Sequence, residues 1–246
     1  MTWPPAWATP CALKLAAAAV RERLSQEQWN IITRAEAEMT QCCAEHKAQG
    51  DYSAAEALRV LEAASSHLAA ITGAQTDRMT RDDGWRLLSI GRQIERLCFL
   101  APALAGSFET GAVHDDGGFE ALIALFDSTI TFHAQYQQTR EVHALLDLLV
   151  LDRDNPRSLG WVVQTLRGRL AKLAGCPAGQ LDALALLVPD PERWELDALC
   201  QTREDGALPR LAELLTQCNE AAWRVSDEIS LRYFTHTGES GQSLGA

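Results

Sequence analysis

The sequence predicts an all-α protein, a multi-helix bundle with long antiparallel helices. Apolar residues recur at spacings of three and four along most of the 246 residues, which is the period of one helix face. No stretch alternates apolar and polar residues as a half-buried strand does. The last apolar series, from Leu208 to Ile229, keeps the helical spacing over a length typical of bundle helices.

The apolar content and the net charge of the chain exclude several classes of protein. Apolar residues make up 47% of the chain, which is enough for a sizeable core. With 22 Lys and Arg against 33 Asp and Glu, the formal net charge is -11, so neither nucleic acid nor an anionic membrane is an expected partner. The apolar runs are too short to cross a bilayer, and the N-terminus lacks the basic and apolar regions of a signal peptide. We therefore expect a cytoplasmic protein.

Cysteine and histidine patterns predict no metal site and no cofactor. The seven cysteines are an odd number and scattered, which is typical of reduced thiols that pack as small apolar groups. The six histidines are also dispersed, without the E-x-x-H or H-E-x-x-H spacing of helical metal sites. A phosphate-binding loop of the form G-x-x-x-x-G-K-[ST] is absent from the sequence as well.

The N-terminal third predicts an irregular segment followed by three helices. Residues 1–10 are rich in Pro and Trp and should form an irregular segment, followed by an Ala-rich helix over 12–23. Ser25 and Gln28 have the spacing of a capping box, so a second helix should start there and end near Gly50. A third helix follows around residues 58–71, with Gly73 as its expected end.

The helix after residue 81 is the most informative. One apolar stripe at spacings of 3, 4, 3 and 4 includes two opposite charges; its members are Trp85, Leu88, Arg92, Glu95 and Phe99. Because an unpaired buried charge costs several kcal/mol, both charges should be buried and paired. Either an internal salt bridge that sets the register of the helix or a ligand site explains them. The helix should end near Pro102, before a Gly-rich loop through Gly118.

The C-terminal half predicts further helices. One spans about 119–138 and places His133 on its apolar face, as a core histidine or as a ligand or base. A short buried helix covers 142–151. Asn155 should then cap a helix that starts at Pro156 and ends at Gly175. Two short helices within 178–205, a long one over 208–233 and a flexible tail over 236–246 complete the chain.

The segment from Asn155 to Ser158 allows two interpretations. As cap and first helical residue, Asn155 and Pro156 are fully explained by structure. Arg157 and Ser158 would also lie in the first turn, where free backbone N–H groups and the helix dipole attract an anion. The sequence leaves both interpretations open.

Several segments in their order along the chain resemble the bacterial alpha-E domain family. They are Val20-Arg21-Glu22-Arg23-Leu24-Ser25 with Trp29, residues 79–96, Asp127-Ser128 with Thr131 and Tyr136, residues 148–158, and Ser226-Asp227-Glu228-Ile229 with Tyr233-Phe234. The most specific are Gly84-Trp85-Arg86 with Gly91-Arg92 and Glu95-Arg96, together with Asn155-Pro156-Arg157-Ser158. The resemblance covers nearly the whole chain and implies one helical domain over residues 11–235.

The resemblance also implies a partner. Alpha-E domains are fused to, or encoded beside, a circularly permuted ATP-grasp protein, often near transglutaminase-like proteases. This neighbourhood implies peptide-bond synthesis or peptide modification, in which the ATP-grasp partner supplies acyl-phosphate chemistry. Since this chain has no nucleotide-binding segment of its own, it should be the accessory domain.

The sequence departs from the family pattern at three places. It starts after the family's first helix, so the apolar surface left behind should be covered by a partner or by a second copy of the chain. His133 and Gln135 stand where the family tends to have Arg, and Asp77-Arg78 where an acidic residue and Asn are common. The last two departures weaken an anion site inferred from the family.

Three functions remain open at the level of sequence. The first is an accessory module that organises the substrate or product of the ATP-grasp enzyme through a polar cluster of Arg92, Glu95, Arg96, Asp127, Ser128, Asn155, Arg157 and Ser158. The second is an enzyme in which Glu95 and Asp127 act as acid and base. The third is a scaffold whose buried ion pairs only set the packing. Catalysis would require these groups to converge on one open cleft.

Overall fold

A computed structural model describes residues 8–49, 53–137, 139–177, 179–204 and 206–234, and over these ranges the protein is all-α, without a β-strand. The helices are α1 (Ala8–Ala19), α2 (Gln26–Gln49), α3 (Ala54–Arg78), α4 (Asp83–Glu109), α5 (Asp116–Leu125), α6 (Thr129–Tyr136), α7 (Val142–Leu146), α8 (Leu159–Leu173), α9 (Ala183–Leu186), α10 (Leu196–Leu199) and α11 (Pro209–Ile229). The predicted fold class is therefore confirmed. The chain divides into two compact units, Met1–Trp85 and Arg86–Ala246.

The first unit packs α2 against both α1 and α3. The predicted capping box is confirmed: the Ser25 amide donates to Gln28 Oε1 (2.8 Å), and the Gln28 amide donates to Ser25 Oγ (3.1 Å). Gln28 Nε2 also reaches the Ala74 carbonyl (3.2 Å), while Glu38 contacts His67 (2.6 Å). Because residues later in α2 meet residues earlier in α3, the two helices are antiparallel.

Three predicted boundaries in this unit are wrong. The Ala-rich helix ends at Ala19 and not at Arg23, and a 3-10 turn follows over Arg21–Arg23. Helix α1 already begins at Ala8, so residues 8–10 are helical, because a proline in the first helical turn removes no helical hydrogen bond. Helix α3 continues past Gly73 to Arg78. A single glycine costs a helix about 1 kcal/mol relative to alanine, and here Ile71 and Ala74 are buried on either side of it. The expected irregular segment at 1–7 and the tail at 236–246 lie outside the described residues.

The second unit has the larger core, to which α4, α5, α7, α8 and α11 each contribute three or more buried or half-buried apolar side chains, and α6, α9 and α10 two each. The predicted stripe of α11 is confirmed; its buried members are Leu211, Leu215, Cys218, Ala222, Val225 and Ile229. Burial raises the pKa of the Cys218 thiol to about 12. Cys218 therefore packs as a small apolar group, as expected for a reduced cysteine in a core.

Helix α4 buries a different face from the predicted one. Its buried line in the second unit is Ile90, Gln93, Leu97, Ala101 and Leu104. Phe99, on the predicted stripe, is 47% exposed, and Glu95 is exposed as well. Both lines have helical spacing, but the observed one contains a single polar residue, an amide, so burying it costs less than burying two charges.

Two predicted helix boundaries in the second unit are also wrong. Helix α4 does not end near Pro102 but continues to Glu109; Pro102 faces solvent, where water can replace the hydrogen bond that proline cannot donate. The single helix expected over 119–138 is two helices, separated at Asp127, which has a positive φ of 47°. Asp is one of the few residues that tolerate this left-handed backbone.

The break at Asp127 turns His133 away from the core. His133 is exposed, and its ring contacts the Gln137 carbonyl (3.0 Å) and Glu120 (3.5 Å). Phe119 and Phe132 instead pack edge to face, with ring centroids 5.5 Å apart. The interpretation of His133 as a core histidine is therefore wrong. None of the described helices combines the length and the apolar character that crossing a bilayer requires.

Candidate functional site

The predicted polar cluster comes together in the second unit from three segments of the chain. They are α4 (Arg92, Glu95, Arg96), the α5–α6 turn (Asp127, Ser128) and the loop before α8 (Asn155, Arg157, Ser158). Arg96 Nη1 donates to the Pro156 carbonyl (3.3 Å), and Arg157 Nη2 forms an ion pair with the Asp127 carboxylate. Asn155 Nδ2 donates to Ser128 Oγ (3.4 Å). These contacts connect all three segments.

A π-helical turn supports the loop that carries Asn155 and Arg157. Helix α7 continues as a π-helix over Asp147–Leu151, and the chain then crosses to α8 through residues 152–158. Helix α8 approaches this turn so closely that a Cβ atom on Gly160 would lie 2.9 Å from the Val150 and Leu151 carbonyl oxygens. Glycine is therefore required at this crossing, because any side chain would displace one of the two backbones.

The predicted helix cap is wrong by three residues. Helix α8 begins at Leu159, and its N-cap is Ser158, whose Oγ accepts from the Trp161 amide (3.0 Å) and donates to the Asp152 carbonyl. Pro156 is thus not a helical residue. Ser158 Oγ occupies one of the free amides of the first turn, that of Trp161.

Asn155 instead connects the loop to the core. Its side chain is buried; Nδ2 donates to the Leu148 carbonyl (3.2 Å), and Oδ1 accepts from the Arg157 amide (3.1 Å). The Leu148 carbonyl lies within the π-helical turn. A residue expected to start a helix therefore holds Arg157 in place beside Asp127.

Sequence reasoning missed Asp152, which orders the same loop. Asp152 Oδ1 accepts from the amides of Asp154 (2.8 Å) and Asn155 (3.2 Å). The signal was present, since Asp-Arg-Asp-Asn-Pro over 152–156 is typical of a turn in which the first carboxylate binds amides two and three residues later.

A second missed feature lies beside Asp152. Tyr136 Oη donates to Asp147 Oδ2 (2.5 Å), and both residues line a depression of about 430 Å³ together with Gln135, Leu151 and Asp152. Burial raises the pKa of Tyr136 well above its usual range, and the Asp147 carboxylate raises it further. The phenol therefore stays protonated and acts as a donor that ties α6 to the π-helical turn.

The cluster has a cationic character. Partial burial lowers the pKa of Arg92, and the positive charge of Arg96 lowers it further. Partial burial also lowers the pKa of Arg96, and the positive charge of Arg157 adds to this effect. Three guanidinium groups against the carboxylates of Glu95 and Asp127 leave a net charge of +1, in a protein whose net charge is -11. Arginine keeps its charge despite such shifts. The arrangement favours binding of a carboxylate or phosphate.

The expected buried pair of Arg92 and Glu95 is not observed. Arg92 is half-buried and Glu95 is exposed, whereas Ser128, Asn155 and Ser158 are the buried members of the cluster. The reason is that α4 buries a different face from the predicted one, so that Gln93 and Leu97 lie in the interior.

Glu95→Ala should consequently change the free energy of unfolding by less than about 0.5 kcal/mol, as is usual for an exposed position. Urea denaturation measures this change. Leu97→Ala, at a fully buried position of the same helix, is the matched control and should lose about 2–5 kcal/mol. A loss above 2 kcal/mol for Glu95→Ala would show that Glu95 is paired in the interior after all.

The fold and the site together define a helical domain with an arginine-rich surface cluster. The family model of the Alpha-E domain, described as a predicted alpha-helical domain with a conserved ER motif, matches residues 9–234. The chain belongs to this family. The dipeptide Glu-Arg occurs at 22–23, 95–96 and 192–193, and the second of these lies within the cluster.

The curated relatives are longer proteins. Uncharacterized proteins of Mycobacterium tuberculosis and Mycobacterium bovis are 28% identical to the chain over 229 residues, which is 89% of the chain and 25% of each relative. The chain thus spans about a quarter of the length of the relatives it matches. No solved structure is similar to it.

Proposed function

We propose that this protein is a helical partner domain of a circularly permuted ATP-grasp amide ligase, in peptide-bond synthesis or peptide modification. In this function the arginine cluster, defined as Arg92, Arg96 and Arg157, binds an anionic group of the substrate or product. Membership of the alpha-E family supports the choice of partner through the family's association with ATP-grasp proteins. Both proteins would act in the cytoplasm, where ATP is available.

The convergence of the three arginines carries the proposal. Helix α4 supplies Arg92 and Arg96, and the loop before α8 (residues 152–158) supplies Arg157. Some 60 residues separate the two segments in sequence. An amide ligase of this class consumes a carboxylate and passes through an acyl phosphate, and both groups are anions. Guanidinium groups bind carboxylates and phosphates through paired N–H donors. A cationic cluster on an acidic protein is therefore suited to hold either group.

The relatives are consistent with a two-part protein. About three quarters of each mycobacterial relative lies outside the stretch that matches this chain. A larger protein of this kind has room for a catalytic partner beside its helical domain.

Acid–base catalysis by the domain itself has less support. The Asp127 carboxylate is 77% exposed and is paired with Arg157, and Glu95 is exposed. Catalytic carboxylates are usually set apart by burial and by specific neighbours. A purely structural role for the cluster also has less support, because four of its charged residues lie at the surface.

A reconstitution experiment tests the proposal. The chain alone should neither hydrolyse ATP nor bind Mg-ATP in a calorimetric titration. With a circularly permuted ATP-grasp protein added, ATP-dependent product formation should rise, and Arg96→Gln/Arg157→Gln should lower it about tenfold or more through the loss of charged hydrogen bonds. Arg203→Gln/Arg232→Gln removes two exposed arginines outside the cluster and serves as the matched control.

Two results would contradict the proposal. The first is product formation by the ATP-grasp protein that is the same with and without the chain. The second is full activity of the Arg96→Gln/Arg157→Gln variant. Unfolding curves of both double variants show whether a loss of activity reflects a loss of folding.

A further inference from the structure

A groove of about 760 Å³ runs along α11, in the second unit and lined by none of the arginine cluster. The α11 residues that line it recur at helical spacing and include Arg210, Glu213, Leu214, Gln217, Glu220 and Arg224. They span 15 residues, from 210 to 224, or roughly 21 Å at the rise of an α-helix. One face of α11 is therefore a continuous wall of the groove.

The opposite wall exposes apolar side chains. Leu186 and Leu187 line the groove and are 66% and 39% exposed, and the half-buried Trp194 lies beside them. Arg167 holds this wall in place: Nη1 donates to the Val188 carbonyl (2.7 Å), and Nη2 lies 3.5 Å from Asp190 Oδ2. Exposed leucines that are grouped in a concave site usually mark a contact with another molecule.

The charges along α11 follow a defined order. Arg210 and Arg224 lie near the two ends of the groove, and Glu213 and Glu220 lie between them. Arg224 pairs with Glu220 at 3.6 Å, and both side chains are more than half exposed. Exposed pairs of this kind contribute little to stability, so the charges can pair with an incoming molecule instead.

We propose that this groove binds an amphipathic helix of a partner protein. The helix would place an apolar stripe at i, i+3/i+4 and i+7 against Leu186, Leu187 and Trp194, the usual mode of helix recognition in grooves. Charge complementarity assigns acidic side chains to its two ends, about 14 residues apart, and basic side chains to its middle. The proposal rests on the proposed function, because a partner domain needs a surface on which the partner docks.

A second copy of the chain fits less well. Antiparallel pairing of two α11 helices centred on Gln217 would set Arg210 of one copy against Arg224 of the other. Like charges directly opposed across an interface cost several kcal/mol. A helix of a different sequence avoids this conflict.

Designed peptides test the groove with the full chain. One labelled 18-residue helical peptide carries Leu along one face, Glu near both ends and Lys in the middle; its isomer has the Glu and Lys positions exchanged. Fluorescence anisotropy should show the first peptide binding about tenfold tighter or more. Arg210→Glu/Arg224→Glu makes all four charged positions of α11 acidic and should therefore abolish this preference, while Arg34→Glu/Arg203→Glu, with the same change in net charge at exposed positions outside the groove, should leave it unchanged.

Equal affinity for the two peptides, or a preference that survives Arg210→Glu/Arg224→Glu, would overturn the proposal. A dimer in light scattering that dissociates in the same variant would assign the groove to a second copy and would also overturn it. The two proposals fail separately. Peptide discrimination without any effect on the ATP-grasp protein would remove only the proposed function, whereas a productive ATP-grasp complex without discrimination would remove only the groove.

Discussion

Gly160→Ala is expected to lower the free energy of unfolding by about 1–3 kcal/mol, the range for overpacking a closely packed site. The added methyl group would lie 2.9 Å from two backbone carbonyl oxygens, those of Val150 and Leu151. Backbone atoms cannot rotate away as the end of a side chain can, so α8 or the π-helical turn has to move. The change is measured by urea denaturation with a common m-value.

Gly168→Ala is the matched control in the same helix and should have the opposite sign. A Cβ atom at Gly168 meets no atom within 4 Å, and the residue is exposed. Replacing an exposed helical glycine by alanine gains about 0.5–1 kcal/mol, because alanine loses less backbone entropy on folding. Equal effects of the two substitutions would contradict the close approach of α8 to the π-helical turn.

Asn155→Ala is expected to destabilise the protein by about 2–3 kcal/mol, the upper part of the range for stranding buried hydrogen-bonding groups. It removes the donor to the Leu148 carbonyl and the acceptor for the Arg157 amide. Because the Arg157 amide is fixed by that acceptor, the arginine cluster should also lose its geometry. Binding of a labelled acyl-phosphate analogue in the presence of the ATP-grasp protein should weaken together with stability.

Asp154→Ala controls for the change of loop sequence. Asp154 is exposed, and only its backbone amide bonds to Asp152, so the unfolding free energy should stay within about 0.5 kcal/mol of the original. Asn155→Asp should be no milder than Asn155→Ala, since a carboxylate cannot donate to Leu148 and would be buried as a charge. A stable Asn155→Asp variant would show that the two donor bonds of Asn155 contribute little.

Two of the three segments of the cluster could be singled out by their unusual sequence, whereas Asp127 and Ser128 were singled out by the family resemblance. Arg92, Glu95 and Arg96 interrupt an apolar helix, and Asn155 to Ser158 combine turn and cap residues. The roles within the cluster could not be predicted. Asn155 was expected as a cap and is a buried connector, while Ser158 was expected beside the cap and is the cap itself. Both Asn155 and Ser158 are suitable N-cap residues. Asn155 instead donates to the Leu148 carbonyl, and Ser158 caps the helix.

Which face of α4 is buried also could not be predicted from the sequence. Two lines of helical spacing exist on this helix, and local periodicity alone does not choose between them. Packing of Ile90, Leu97, Ala101 and Leu104 into the second core selects one line and leaves Glu95 at the surface. A prediction of burial therefore needs the partners of a helix as well as its own pattern.

The sequence by itself determined the all-α class, the capping box at Ser25 and the buried stripe of α11, because each depends on residues within one or two helical turns. Tertiary structure alone decided which face of α4 is buried, where the chain breaks at Asp127 and what Asn155 contacts. These depend on residues far apart in the chain, whose packing energies exceed the local preferences of about 1 kcal/mol that a sequence pattern expresses. The groove along α11 belongs to the second group, since its two walls meet only in the folded chain.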